Sequence, residues 1–261
     1  MTLALIVGRG DLPAILAKAA GPMPLICAYE SIEVSGLVPD LTFRLETLGT
    51  LLADLKVRDI SRVCFAGGLD RPALDPSKLD TLTLPLVPAF MDGMKAGDDG
   101  ALRVVLGLFE KAGFEVIGAH EVAPDILAKE GVYGTRAPDA QMQKDAACAA
   151  DHLASVSAQD IGQACVVGGV QVLAMEDAGG TDAMLGRLKS PGRAILYKAP
   201  KAQQSRLVDM PTVGPDTLSA AHHAGLVGVV VEAGRVLVLH PELCTKRADE
   251  LGLVLWARPV Q

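Results

Sequence analysis

The chain has 261 residues, half of them hydrophobic and only 3% aromatic, and its formal net charge is −7 at pH 7. This length can bury the core of one or two domains, and the composition predicts that aliphatic side chains build it. The negative charge argues against a general nucleic-acid binder, because affinity for nucleic acid depends on neutralising phosphates. No stretch reaches the roughly 18 apolar residues of a membrane-spanning helix, so we expect any contact with a membrane to be peripheral.

The cysteines are five in number and scattered, without the CxxC spacing of a metal or redox site. They indicate small buried apolar side chains in a reducing cytosol.

Apolar strand patterns alternate with helical patterns along the whole chain, which predicts an α/β fold. In the first half we predict strands at 3–7, 24–29, 41–44, 62–66 and 114–118, and helices at 48–56 and 101–112. Glycine and proline break the pattern at 130–138. We therefore predict a Rossmann-like parallel-sheet domain at 1–132 and a smaller α/β catalytic domain at 133–261.

The first strand ends in a glycine turn that begins like a dinucleotide fingerprint. Gly8 and Gly10 match that motif, but Pro13 stands where its third glycine would be. The turn therefore predicts either a phosphate or nucleotide site or a plain tight turn, and it is a weak indication of a dehydrogenase. Arg71 follows a second glycine turn, after strand 62–66. Because ligands bind beyond the carboxyl ends of parallel strands, we expect both turns to share a crevice.

Two adjacent carboxylates, Asp98 and Asp99, stand at a predicted helix start. They can complement the helix dipole, or they can bind a hard divalent cation.

The second half continues with predicted helices at 139–155 and 242–251 and a helix opening near residue 216. Predicted strands lie at 163–167, 170–176, 194–197, 226–232, 235–240 and 254–257. Between two of the strands, Gly179-Gly180-Thr181-Asp182 predicts a helix entrance. Thr181 and Asp182 can cap that helix, or they can also face a phosphate or metal.

A charged loop follows strand 194–197 and is the first place to look for function. It carries Lys198, Lys201, Gln204, Arg206 and Asp209. Such a loop either binds an anionic ligand or is simply solvated. Thr212 and Gly214 then open a helix whose N-terminus suits a phosphate.

Several motifs occur together in the order of one family: GRGDLP, GLDRP, KAGDDGALR, GGTDAML and LYKAPKAQQSRLVDMPTVGPDT. On these motifs the chain resembles the UDP-2,3-diacylglucosamine pyrophosphohydrolases of the alternative bacterial type, which make lipid X and UMP in lipid A biosynthesis. The resemblance covers nearly the whole chain. It implies hydrolysis with Mg²⁺ (or Mn²⁺), a substrate bound between two domains, and a cytoplasmic enzyme peripheral to the inner membrane.

The resemblance also implies roles for individual residues. Asp209, Asp98 and Lys198 are the expected catalytic residues, and Asp98, Asp99 and Asp209 are the expected metal ligands. Lys198, Lys201 and Arg206 are expected to clamp the pyrophosphate. The expected substrate-binding residues are Gly8, Gly10, Arg71, Thr181, Asp182, Lys201, Gln204, Arg206, Thr212 and Gly214. The apolar segment 79–94 is expected to form part of a groove for the acyl chains.

The sequence departs from the family pattern at two positions, Ser205 and Gly179, where the family tends to have carboxylates. A non-catalytic or altered-specificity protein that binds a nucleotide sugar or lipid is therefore the alternative. The sequence leaves open whether the protein is a homodimer.

Overall fold

The computed structural model describes residues 2–69, 74–95, 97–157, 162–189, 191–202 and 204–260. The chain divides into two compact α/β units, Met1–Pro124 and Asp125–Gln261, which confirms the predicted fold class. The predicted boundary followed residue 132, eight residues beyond the division that the structure shows.

The first unit is a parallel sheet with helices in its connections. Its strands are β1 (Thr2–Val7), β2 (Leu25–Tyr29), β3 (Leu41–Phe43), β4 (Ile60–Ala66) and β5 (Glu115–Ile117). Its helices are α1 (Leu12–Ala19), α2 (Leu48–Val57), α3 (Val87–Lys95), α4 (Gly97–Lys111) and α5 (Ala119–Val122). In the described part of this unit all strand pairs are parallel, in the order β3-β2-β1-β4-β5.

The centre of this sheet is apolar, as expected for strands covered on both faces. Residues 4–7 of β1 are all buried, and so are Val63 and Cys64 of β4. The strand order reverses between β1 and β4, and open α/β sheets place ligands at such a reversal.

One helix start in this unit differs from the prediction, and one helix was not predicted. Helix α4 begins at Gly97 rather than at residue 101, and a short 3₁₀ turn at Leu84–Leu86 leads into the unpredicted helix α3. Pro85 and Pro88 each stand in the first turn of a helical segment, where the missing N–H costs nothing.

The second unit is built on a mixed sheet. Its strands are β6 (Gly131–Tyr133), β7 (Ala164–Gly168), β8 (Gln171–Met175), β9 (Ile195–Lys198), β10 (Thr212–Val213), β11 (Gly228–Glu232), β12 (Leu237–Val238) and β13 (Val254–Arg258). Its helices are α6 (Ala140–Val156), α7 (Gly180–Gly186), α8 (Pro215–His223) and α9 (Pro241–Leu251). Among the described residues the larger sheet has the order β6-β13-β11-β9-β7-β8, and β10 pairs with β12. Strands β9, β11 and β13 run parallel, and β6, β7 and β8 are antiparallel to their neighbours.

The two faces of this sheet have separate cores, and alternate residues of β9 serve each of them. Ile195 and Tyr197 pack on the face covered by α6, together with Met142 and Ala146. Leu196 packs on the face covered by α7, α8 and α9. Since side chains alternate along a strand, the last residue of β9 emerges on the second face, beside α7.

All five cysteines are free thiols, and Cys27, Cys64, Cys165 and Cys244 are buried. Burial raises the pKa of each of these four thiols to about 12. They are buried apolar side chains, as predicted.

We expect one thiol, that of the half-buried Cys148, to react rapidly with Ellman's reagent in the native protein at pH 8. The other four should react only after unfolding, because the thiolate is the reactive form and burial disfavours it. Cys148→Ser should remove the fast phase, and a second fast thiol in that variant would contradict the described burial.

Candidate active site

A buried chain of polar groups starts at Lys198, where β9 ends. Only 7% of Lys198 is exposed, and its Nζ donates a hydrogen bond to Thr181 Oγ1 over 3.0 Å. Thr181 in turn donates to Glu176 Oε1 over 2.6 Å. The second oxygen of Glu176 accepts the backbone N–H of Gln163 over 2.6 Å. Each group in this chain therefore has a partner, as burial requires.

The electrostatic surroundings of Lys198 combine burial with negative charge. Burial lowers the pKa of its ammonium group below the ordinary value, and the carboxylates of Glu176, Asp182 and Asp209 oppose that shift. The three carboxylates favour the charged form. Lys198 is therefore a buried amine under the influence of three carboxylates.

Thr181 was predicted to cap α7, and the structure shows that it does not. The N-cap residue is Gly179, and the Thr181 hydroxyl forms hydrogen bonds with Lys198 and Glu176 instead. Asp182 lies in the first turn of α7, where a negative charge complements the helix dipole.

The loop between β9 and β10 is organised around the side-chain amide of Gln204. Its Oε1 accepts the Lys201 N–H over 2.9 Å. Its Nε2 donates to Asp209 Oδ2 and to Gln163 Oε1, each over 2.8 Å. The loop is thus attached to the start of β7, and Asp209 is held within it.

The same loop surrounds a cavity of about 130 Å³. Its polar lining consists of Lys201, Gln204, Ser205, Arg206, Asp209 and Arg235. Three of these residues are cationic and one is a carboxylate. The cavity is smaller than the about 300–1,000 Å³ of sites for drug-sized ligands, so it suits a single anionic group.

Two arginines connect this cavity to the turn after β11. Arg206 donates to the Gly234 carbonyl over 3.0 Å, and Arg235 pairs with Glu232 over 2.8 Å. These contacts fix the guanidinium groups at the edge of the cavity. An arginine held in place can bind phosphate without a large loss of side-chain entropy.

A second polar group lies on the α6 face of the sheet. The Tyr197 hydroxyl donates to Glu232 Oε1 over 3.1 Å, next to Arg258. Burial, and after it the Glu232 carboxylate, raises the pKa of Tyr197, so the phenol stays neutral and acts as a donor. Glu232 is therefore held between Tyr197 and Arg235.

The predicted phosphate site at the start of α8 is built from backbone groups. Gly214 is the N-cap residue, and its N–H donates to Thr217 Oγ1 over 3.2 Å. Thr212 lies in β10, two residues before that cap. The expected roles of Thr212 and Gly214 in phosphate binding stay predictions.

In the first unit, the two predicted glycine turns meet at the carboxyl ends of β1 and β4. Arg9 and Gly68 exchange backbone hydrogen bonds of 2.8 and 2.9 Å. A Cβ atom on Gly8 would lie 2.4 Å from the Gly68 carbonyl oxygen. Gly10 has open space around it and needs glycine only for its φ of +94°.

We expect Gly8→Ala to destabilise the protein by about 1–3 kcal/mol, because the new methyl group has no room beside Gly68. Gly107→Ala is the matched control, since nothing lies within 4 Å of a Cβ at that helical position. It should stabilise α4 by about 0.5–1 kcal/mol, as alanine is the better helix former. Urea unfolding measures both changes, and equal effects would contradict the packing described here.

Three predicted site residues of this unit have side chains outside the described part of the chain. Arg71 lies outside the described residues. Asp98 and Asp99 fall in the first turn of α4, but their side chains lie outside the described part of the chain.

The chemistry of the side chains at the cavity decides whether a divalent metal can bind there. Asp209 supplies a carboxylate at the cavity, which suits Mg²⁺ or Mn²⁺. Among the side chains that the structure describes, no three His, Cys, Asp or Glu residues come together as a metal site. Asp98 and Asp99, whose side chains lie outside the described part of the chain, remain predicted ligands.

Sequence reasoning missed several polar residues of this region: Gln163, Glu176, Tyr197, Glu232, Arg235 and Arg258. Three of them terminate apolar strands or directly follow one, namely Glu176, Glu232 and Arg258. A polar residue at the end of a buried strand was the signal that could have found Glu232 and Arg258, whereas the strand before Glu176 is exposed at Val172 and Leu173.

None of the helices in the described ranges has the length and apolarity that crossing a bilayer requires.

Comparison with known proteins gives matches to both units. The model of the LpxI N-terminal domain matches residues 2–126, and that of the LpxI C-terminal domain matches residues 129–256. A similar protein is the UDP-2,3-diacylglucosamine pyrophosphatase LpxI of Caulobacter vibrioides. It is 38% identical over 266 residues, which cover 96% of this chain and 95% of the relative.

Proposed function

The chain belongs to the LpxI family, and we propose that it hydrolyses the pyrophosphate of UDP-2,3-diacylglucosamine in lipid A biosynthesis. The products are lipid X, which is 2,3-diacylglucosamine 1-phosphate, and UMP. The observation that carries this proposal is the buried Lys198 side chain, whose pKa is influenced by the charge of Asp209, together with a cavity lined by Lys201, Arg206 and Asp209.

The reaction needs positive charge at the pyrophosphate. The oxygen of water forms a bond to one phosphorus, and the bond from that phosphorus to the bridging oxygen breaks. Negative charge grows on the bridging oxygen as it leaves. Fixed cations and N–H donors stabilise this charge most, because they need no reorganisation during the reaction.

The hydrogen bonding of Lys198 supports a role in stabilising the charge on the bridging oxygen. An ammonium group has three donors, and the bond to Thr181 uses one of them. Because Thr181 is held by Glu176, the direction of the ammonium group is fixed. We propose that Lys198 stabilises the negative charge that develops on the bridging oxygen, and that Lys201 and Arg206 bind the phosphates.

We further propose that the reaction depends on Mg²⁺ (or Mn²⁺), with Asp209 as one ligand and Asp98 and Asp99 as the others. When bound, the metal would act as a Lewis acid on the pyrophosphate oxygens. Oxygen ligands of this kind are those that Mg²⁺ prefers. The hydrogen bond from Gln204 to Asp209 supports the proposal, since metal-binding carboxylates are commonly oriented by such contacts.

The acyl chains of the substrate call for an apolar surface, for which we propose the segment 79–94. Leu82, Leu84 and Met91 in this segment are about half exposed, at 53%, 53% and 49%. Three exposed apolar side chains within one short segment support contact with lipid. We infer that the protein works at the cytoplasmic surface of the inner membrane as a peripheral protein.

The test is a direct assay with the purified protein, UDP-2,3-diacylglucosamine and Mg²⁺. We expect equal amounts of UMP and lipid X, and we expect EDTA to stop the reaction. If the protein binds the substrate but the Caulobacter relative alone releases UMP in the same assay, the chain is a binding protein and the proposal is wrong.

A further inference from the structure

Gln163, which stands just before β7, makes hydrogen bonds to three separate segments. Its N–H donates to Glu176 Oε2 over 2.6 Å. Its carbonyl accepts the Ala199 N–H over 3.0 Å. Its side-chain Oε1 accepts Gln204 Nε2 over 2.8 Å. One residue therefore ties the ends of β8 and β9 to the loop that holds Asp209.

The neighbours of Gln204 fix the orientation of its amide. The Lys201 N–H can only donate, so it faces Oε1, and the Asp209 carboxylate accepts from Nε2. The second hydrogen of Nε2 goes to Gln163. Without Gln163, the Gln204 amide would lose its anchor on the sheet.

The backbone just before Gln163 is packed closely against Glu176. Gly162 has a φ of +45°, and a Cβ atom there would lie 2.3 Å from the Glu176 carbonyl oxygen. A larger residue would displace Glu176. The start of β7 and the end of β8 are therefore held at a fixed separation, which gives Gln163 a rigid base.

We infer that Gln163 is a positioning residue that holds Asp209 in place through Gln204. The inference rests on the proposed function, because the hydrolysis is the reaction that this alignment serves. Gln163 acts through Gln204 and Asp209 and makes no contact with the substrate itself. Its loss should therefore lower kcat and leave KM nearly unchanged.

A double-mutant cycle tests the link. We expect Gln163→Leu to lower kcat about 10- to 100-fold, as loss of a residue that orients a ligand does. The double variant Gln163→Leu/Gln204→Leu should be no slower than Gln204→Leu alone, because both substitutions break the same connection. The control is Gln143→Leu on the exposed face of α6, which should keep wild-type kcat. If the two effects multiply, or if KM takes up the loss, the inference is overturned.

Hydrogen exchange measures the same link without turnover. Gln163→Leu should speed amide exchange in residues 199–211, including the N–H groups of Lys201 and Asp209, while α6 keeps its wild-type rates. Unchanged exchange in the loop, or equal acceleration throughout the second unit, overturns the inference. A wild-type protein that fails to hydrolyse the substrate contradicts the proposed function instead, and the exchange result still decides the role of Gln163.

Discussion

Lys198→Met is expected to lower kcat for UMP release by about 100- to 1,000-fold, the usual loss when one stabilising donor leaves an active site. Methionine keeps most of the length of the side chain but carries no charge and no donor. It leaves Thr181 bonded to Glu176 without a cation beside them. Steady-state kinetics of the purified variant measure the loss.

The matched control is Lys144→Met, on the exposed face of α6 in the same unit. It should keep the wild-type rate, and thermal unfolding of both variants shows that each is folded. If the Lys198→Met variant keeps more than half of the wild-type kcat, Lys198 does not stabilise the charge that develops in the reaction.

Asp209→Asn is expected to lower kcat by about 1,000-fold, because the amide cannot supply the negative charge that a divalent metal requires. The substitution keeps an oxygen that can accept the hydrogen bond from Gln204, so the loop should stay folded. The loss should be accompanied by a higher Mg²⁺ concentration at half-maximal activity.

The control for this change is Asp151→Asn, an exposed carboxylate on α6. It removes the same charge from the same unit and should leave both kcat and the Mg²⁺ dependence unchanged. An Asp209→Asn variant with ordinary Mg²⁺ dependence would show that Asp209 is not a metal ligand.

Most strands and helices could be predicted from the sequence, because glycine and proline mark their ends and apolar runs mark the buried strands. The predicted strand 226–232 corresponds to β11 at Gly228–Glu232, and the predicted helix 139–155 corresponds to α6 at Ala140–Val156. Strands β6 and β10 were missed, since two or three residues are too few to show an alternation of apolar and polar side chains.

The charged loop after β9 was also predictable, since lysine, arginine and aspartate side chains follow a buried strand. The partners of these side chains were not. Thr181 meets Lys198 across 17 positions of the chain, and Gln204 meets Gln163 across 41 positions. Contacts of this kind depend on which strands are neighbours in the sheet. Local patterns in a sequence do not specify that order.

Gly8 was identified from a nucleotide-binding pattern, but the structure gives it a further reason to be glycine. Its Cα lies against the backbone at Gly68, so a side chain is excluded there for packing alone. The roles of Gly8, Gly10, Arg71, Asp98 and Asp99 in binding or catalysis remain predictions.

The most direct measurement is a crystal structure of the protein with UMP and lipid X bound. We expect phosphate oxygens within hydrogen-bonding distance of the side chains of Lys198, Lys201 and Arg206, and a metal ion on the Asp209 carboxylate. Products bound at a site that does not include the loop 199–211 would contradict the account.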